Sequence, residues 1–353
     1  MNLTQSDPQC NEATISEGLC YDLQICGHCY GENKVFSPEY EMYNLIIIGV
    51  LLPSIGLFGL LGNFLSAFTY SREEMRSSLN MYLLALACSD TIIILTSYFL
   101  FFLENMRKRS KMATYWFAVL MPGMFPLGLT AQTLSVYITV ASAFDCLVHV
   151  AASTKFQRKF CSISTSLVIL SFIVVGSILY NTPHLFEIYV VDCWSIPYSI
   201  TLKDVCPTEL RTDPTYTTLY YTISYSLLMA VGPVFLLIVI NSAIVLLMKR
   251  NPQEGNNSDI MTLVLVVCLF ISCNVLPMLI NILELAFNYF NPYMLDLSNL
   301  MVVLNSSCNF LIYYAFGSNF RRTLKYYLSH YVKMRNSPRR ALMLKIPQQE
   351  ILI

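Results

Sequence analysis

The chain is poor in charge: 12% of its 353 residues are Asp, Glu, Lys or Arg, about half of what a soluble domain carries. Its 22 basic and 22 acidic residues cancel, so bulk attraction to nucleic acid has no support and no such partner is expected. Four histidines are scattered, and no nucleophile elbow, phosphate-binding glycine loop or metal-ligand spacing occurs. An enzyme is therefore not expected. Residues 1–43 are polar and acidic without an apolar run, so no cleavable signal peptide is read, and the first helix is expected to serve as an uncleaved anchor. No internal repeat and little midplane charge argue against a transporter or channel.

What is present is long uncharged sequence. No charge occurs in Met42–Ser71, Met112–Phe144, Phe160–Phe186, Pro214–Met248, Ile260–Leu283 or Leu297–Phe320, each run being 24 residues or longer. A bilayer-spanning helix needs about 20 residues. Ser77–Leu103 is equally apolar but for Asp90. Backbone groups in hydrocarbon must bond within their own segment, so these runs are expected to be seven helices. The fold expected is an all-α bundle, with residues 1–43 as an outer tail, 44–316 as the seven helices, 317–331 as an interfacial helix and 332–353 as a cytoplasmic tail. The interfacial helix is read from Phe316, Phe320, Leu324, Tyr327, Leu328 and Tyr331, which recur at helical spacing between basic residues.

Orientation follows from Lys and Arg. With the N-terminus outside, 15 of the 22 fall on the inner face, among them Arg72, Lys155, Arg250 and the eight after Phe320, and seven on the outer. The positive-inside rule places the larger set in the cytoplasm, giving a multi-pass protein of the plasma membrane. Cys10, Cys20, Cys26, Cys29, Cys193 and Cys206 are then outside and are disulfide candidates of unread connectivity. Asn2-Leu3-Thr4 is an outward-facing glycosylation sequon.

Ionisable residues in hydrocarbon mark function by default. Asp90 sits midway along the second helix; Ser135 on the third, and Asn305 and Asn309 on the seventh, offer partners at similar depth. Such a set suits a hard cation such as sodium, or an interhelical hydrogen-bond network without an ion. Asn274, Asn281 and Glu284 share a face of the sixth helix. Glu187, Asp192, Glu209 and Asp296 gather on the outer side, where an acidic mouth suits a cationic ligand such as a basic peptide. Pro233 and Pro277 supply kinks or hinges.

The motifs GLLGN (Gly59–Asn63), LALACSD (Leu84–Asp90) and NFLIY (Asn309–Tyr313) stand in order on the first, second and seventh helices. They resemble the signatures of rhodopsin-like G protein-coupled receptors. PLGLTAQTLSVYITV (Pro126–Val140), YNTPHLFE (Tyr180–Glu187), PTELRTDPTY (Pro207–Tyr216), CNVLPMLINILE (Cys273–Glu284) and LNSSCNFLIYYAFGSNFRR (Leu304–Arg322) are similar to invertebrate FMRFamide-type neuropeptide receptors. The resemblance covers roughly residues 44–330. It implies a receptor for a short amidated peptide, bound among the outer ends of the third to seventh helices, with Gln132, Glu187, Glu209, Arg211, Asn281 and Glu284 as ligand-binding candidates. Asp90, Ser135, Asn305, Asn309 and Tyr313 are the switch candidates, and a heterotrimeric G protein is the inner partner.

Departures from that pattern bear on signalling. Asp145-Cys146-Leu147 stands where the family has Glu/Asp-Arg-Tyr, so the G protein face lacks a five-donor guanidinium. Ser153-Thr154 replaces a common Pro-Leu pair, Val275 a common Trp, and Met121 the usual cysteine atop the third helix. Cys193 and Cys206 are therefore expected to pair with each other or with the tail's Cys10, Cys20, Cys26 or Cys29, or to leave a free thiol. A receptor that captures peptide without turning over G protein is the alternative. The C-terminal Glu350-Ile351-Leu352-Ile353 could add a strand to a PDZ-type scaffold.

Overall fold

The computed structural model describes residues 24–26, 37–107, 109–195, 198–250, 257–287, 289 and 291–335. Among them are seven helices long and apolar enough to cross a membrane. They are α1 (Pro38–Tyr70), α2 (Ser78–Arg107), α3 (Lys111–Ala151), α4 (Ile163–Asn181, continued by a 3-10 turn to Phe186), α5 (Pro214–Arg250), α6 (Asn257–Phe287) and α7 (Pro292–Phe316). An eighth helix, α8 (Ser318–Arg335), follows α7 directly. Residues 336–353, with Glu350–Ile353, lie outside the described residues, as do Asn2, Cys10, Cys20 and Cys29.

Helix starts obey capping chemistry. Ser77, Ser110 and Ser162 accept a backbone N–H from the third residue beyond them, and Asn291 accepts from Tyr293 and Met294 ahead of Pro292, which satisfies amides left unpaired at a helix start. The same logic starts α1 early. Ser37 caps it and Pro38 opens it, so Glu39 and Glu41 fall inside the first turn, where the helix dipole favours acids. The end of the charge run at Met42 therefore lies within the helix and does not mark its start.

The periphery is apolar and the interior carries many polar groups beside its apolar core, unlike a soluble bundle. Phe64, Phe172 and Leu246 are at least 66% exposed, whereas Asn63, Asp90 and Ser306 are 1% exposed or less. Exposed apolar rings and chains face lipid, and polar groups find partners between helices. Gly59 sets the approach of α1 to α7: a Cβ there would stand 2.1 Å from Ser307 Oγ. The main apolar core, including Tyr82, Leu86, Leu237, Leu263, Tyr313 and Phe320, occupies the half of the bundle nearest α8. In the other half, the apolar cluster found among the described residues is smaller: Ile48, Leu52, Leu300 and Val303.

That less packed half also holds wide, π-helical turns at Leu45–Leu51, Tyr98–Leu103, Thr217–Ser224 and Ser226–Val231. Such turns concentrate at functional sites. In α5 they end at Gly232, where a Cβ would meet the Leu227 carbonyl oxygen at 2.2 Å. Over this end lies a three-stranded sheet of β1 (Gln24–Ile25), β2 (Ile188–Ser195) and β3 (Ile200–Pro207), with β2 central, antiparallel to β3 and parallel to β1.

Candidate functional site

Three clusters lie along the bundle axis: one under the sheet, one at mid-depth and one beside α8.

At mid-depth Asp90 is wholly buried. Its Oδ1 accepts from Ser135 Oγ at 3.1 Å and its Oδ2 from Asn309 Nδ2 at 2.7 Å. The three residues come from α2, α3 and α7, so the carboxylate ties three helices together. Asn63, on α1, donates to the Ser306 carbonyl at 2.9 Å and brings in a fourth. Asn305 lines a small cavity of about 50 Å³ with Gln132, Ser135 and Asn274. Tyr313 stands apart, packed on Tyr70 and Phe320 at 5.3 and 5.7 Å between ring centres. Its hydroxyl, with Oδ1 of Asn63 and of Asn309, is buried and has no hydrogen-bond partner among the described residues.

Under the sheet the key residue is Glu187, wholly buried at the junction of α4 and β2. Its Oε1 accepts from Tyr216 at 2.6 Å and lies 2.8 Å from His184 Nδ1. Its Oε2 accepts from Arg211 at 2.7 Å and Tyr221 at 2.5 Å, and Arg211 also bonds the Tyr221 hydroxyl. Burial alone would push this carboxyl up, but the bonds from His184 and Tyr216 and the charges of His184 and Arg211 hold it below the ordinary value. Protons on His184 are assigned from partners. Tyr220 spends its hydroxyl proton on the Tyr180 carbonyl at 2.5 Å, so its oxygen, 3.3 Å from His184 Nε2, can only accept. Nδ1 faces the carboxylate. Both ring nitrogens thus face oxygen partners.

Both cysteines of the β2–β3 hairpin, Cys193 and Cys206, are disulfide-bonded. Cys26 is bonded to Cys193, with Cα atoms 5.0 Å apart, and β1 pairs beside β2 at that point. Cys206 is disulfide-bonded as well, and with Cys193 committed to Cys26 the two hairpin cysteines do not pair with each other. Replacing Cys26 or Cys193 by Ser should each cost about 2–4 kcal/mol. The double variant should cost no more than either, measured as loss of surface receptor and of thermal stability in detergent; additive losses would contradict the pairing.

The remaining ligand candidates are dispersed. Glu209 is exposed on the short helix Glu209–Thr212. Asn281 and Glu284 lie on α6, their side chains outside the described residues. Asp192 pairs with Lys203 at 2.9 Å, and Asp296 accepts from Asn44 at 2.8 Å.

Beside α8 a cavity of about 380 Å³ is lined by Arg76, Ser78, Asp145, Cys146, His149 and Arg322, among others. Asp145 accepts from Ser78 at 2.6 Å, and Ser78 shares a 2.6 Å hydrogen bond with Ser166. Ser78 of α2, itself bonded to Ser166 of α4, thus holds the carboxyl that has no arginine beside it in sequence. Burial and the adjacent Asp145 push the Cys161 thiol up to about 12, so it is no thiolate nucleophile.

The sequence reading missed Asn63 as a network member, the serine pair on Asp145, and the tyrosines Tyr216, Tyr220 and Tyr221. Only the three-residue spacing of His184 and Glu187 hinted at their contact. Of helix-borne groups of three or more His, Cys, Asp or Glu able to hold a metal, the described residues contain none.

No family model matches the chain. It is 58% identical over 98% of its length to the probable G protein-coupled receptor frpr-1 of Caenorhabditis elegans, covering 98% of that protein. It is 32% identical to the FMRFamide receptor of Drosophila melanogaster over 82% of this chain and 55% of that one. It is 31% identical to the FMRFamide peptide receptor frpr-18 of Caenorhabditis elegans over 82% of this chain and 70% of that one. With seven apolar helices, a lidded, loosely packed end and a buried polar core, the chain belongs to the G protein-coupled receptor family, in the branch of the FMRFamide receptors.

Proposed function

We propose that this receptor binds a short amidated peptide beneath its sheet and passes the event to a heterotrimeric G protein at the α8 end. The observation that carries this reading is the unequal packing of the two halves. An apolar core fills the α8 half, while the sheet half holds the wide turns of α1, α2 and α5, where helices can shift around a ligand. A peptide that favours one helix arrangement shifts the population toward it, and the coupling is reciprocal. Glu209 and Glu284 are proposed as acidic contacts, with Gln132, Asn274 and Asn281 deeper. Glu187 and Arg211, bonded to each other, shape the site from behind. Amidated peptides applied to cells displaying the chain should raise a cAMP, calcium or arrestin signal. Silence on all three, with surface receptor confirmed, overturns this function.

The sheet end is proposed to be extracellular. Disulfides persist in an oxidising compartment, and both Cys193 and Cys206 are bonded there. An N-terminal epitope should therefore be reachable on intact, unpermeabilised cells.

G protein coupling, and not capture alone, fits the cavity beside α8. Cys146 is 2% exposed and lines that space next to Asp145. An arginine there would gain a carboxylate partner, so Cys146→Arg should raise maximal signalling at equal surface level by about 5-fold or more, the low end of allosteric coupling energies. No rise overturns the idea that the altered motif limits output.

The Asp90 cluster supports a second reading, a sodium site. A buried carboxylate requires compensation, hard cations take oxygen ligands, and Asn309 Oδ1 is buried without a partner beside it. Asp90, Ser135, Asn305 and Asn309 would hold the ion, which supplies charge balance. Peptide affinity should then differ between sodium and choline chloride at equal ionic strength.

A further inference from the structure

A run of cations at the sheet end, Arg107-Lys108-Arg109-Ser110-Lys111, takes no part in the three clusters above. With that end outward, it runs against the rule that basic residues gather on the inner face. Arg107 closes α2 and Lys111 opens α3, so the run joins the two helices, and its ends lie within about 14 Å of each other. Strand β3 comes against this tip, since Arg107 reaches Asp204 of that strand at 3.3 Å. Tyr115 and Trp116 follow on α3, 42% and 48% exposed, and such amphipathic rings mark the boundary of hydrocarbon and water. Lys111 precedes Trp116 by five residues, about 7.5 Å further out along the helix, so the tip stands clear of the lipid tails.

The cations of this tip differ in what they touch. Arg107 holds the fold: its guanidinium pairs with Glu104 at 3.7 Å and Asp204 at 3.3 Å, and lies 4.7 Å from the Phe117 ring centre. Lys203, on the neighbouring strand, is spent on Asp192 at 2.9 Å. Arg109 and Lys111 are both exposed and form no ion pair among the described residues. Arg109 donates to the neutral Asn105 side chain at 3.4 Å. An arginine carries five N–H donors, so most of that fork is open. Lys111 lies 5.2 Å from the Tyr198 ring centre, a contact that leaves its three donors to water. The acids of this surface thus face Arg107 and Lys203, and two uncompensated cations point outward.

We propose that this tip docks a sulfated glycosaminoglycan chain of the cell surface, whose sulfates are met by Arg109 and Lys111. The chemistry favours a polyanion over a small one. One exposed ion contact is worth up to about 5-fold, so a single free anion is held weakly. A chain meets several cations together and releases its counterions as it does so. Short runs rich in Lys and Arg are the form such patches take in sequence, and arginine meets two oxygens of one oxyanion at once. Sulfates add to the carboxylates of the chain, so a sulfated polymer carries more charge per length than an unsulfated one. Anionic phospholipid is concentrated in the cytoplasmic leaflet, so an outward tip meets little of it. The site rests on the outward placement of the sheet end, which the N-terminal epitope checks separately, and not on the identity of the peptide.

The test uses intact cells displaying the full-length chain, which keeps the cations of the opposite face out of reach. The cells are stripped of their own chains with heparin lyase, and biotinylated heparin carrying a photoreactive group is crosslinked to the surface receptor. Capture should saturate and be competed by unlabelled heparin but not by hyaluronan, which has carboxylates and no sulfates. Arg109→Ser combined with Lys111→Ser should cut capture about 10-fold, two contacts of up to about 5-fold each, at matched surface level and unchanged melting of the purified receptor. Arg109→Lys combined with Lys111→Arg keeps both charges and should keep capture; loss there would place the effect in the shape of the tip and count against the proposal. Equal capture by the double serine variant, or equal competition by hyaluronan, overturns it. Competition by phosphatidylserine vesicles as strong as by heparin would make the tip a lipid contact and overturns it as well.

Discussion

Glu187→Gln is expected to abolish high-affinity peptide binding and to lower the receptor's thermal stability by about 3–5 kcal/mol, the usual loss when one member of a buried charged cluster is removed. The reason is a count of donors. His184 and Tyr216 approach one carboxylate oxygen, and Arg211 and Tyr221 the other. A glutamine has the same shape, but its amide nitrogen must face two of these donors, leaving buried groups unpaired. Because Glu187 joins the end of α4 to the start of α5 and to the segment after β3, its loss loosens the roof of the peptide site.

The matched control is His184→Arg, which keeps an N–H donor for the Glu187 carboxylate; it should retain most binding, whereas His184→Ala should not. Binding of a labelled peptide to surface receptor, with melting of the purified protein, checks both. Normal affinity and stability in Glu187→Gln would refute the anchoring role. The pH dependence has a definite sign. A carboxyl held below its ordinary value stabilises the fold above its unfolded pKa of about 4.3 and loses that contribution as pH falls through its lower folded value. The anchor should thus hold through neutral and mildly acidic medium and weaken only below about pH 4.3.

Asp90→Asn is expected to separate binding from signalling. Asp90 touches no part of the roof; it accepts from Ser135 and Asn309 and so links α2, α3 and α7. The amide oxygen can accept from Asn309, but its N–H then faces Ser135, whose hydroxyl must reverse from donor to acceptor and give up its present bond. Peptide affinity should stay within about 3-fold, while maximal response falls by about 10-fold or more, within the range of coupling energies between sites. Any difference between sodium and choline should vanish in the variant. Full signalling by Asp90→Asn at matched surface level would remove the network from the mechanism.

Several of these features were legible before any coordinates. Uncharged runs located the seven helices, because hydrocarbon excludes charge wherever the helices pack. Asp90 announced itself as the lone charge in an apolar run. The start of α1 was less legible: Glu39 and Glu41 hid it, since charge is tolerated in a first turn.

What local sequence could not carry was pairing. Six outer cysteines allow many connectivities, and only the placement of β1 along β2 joins Cys26 to Cys193. Glu187 read as one acid of an open mouth, yet the fold buries it against Arg211 and the α5 tyrosines Tyr216 and Tyr221. The sequence by itself determined which segments enter the membrane, because that choice is a transfer free energy summed residue by residue. Tertiary structure alone decided which polar groups satisfy one another and which are left for a ligand, because a hydrogen bond is set by distances between atoms that the chain keeps far apart in order.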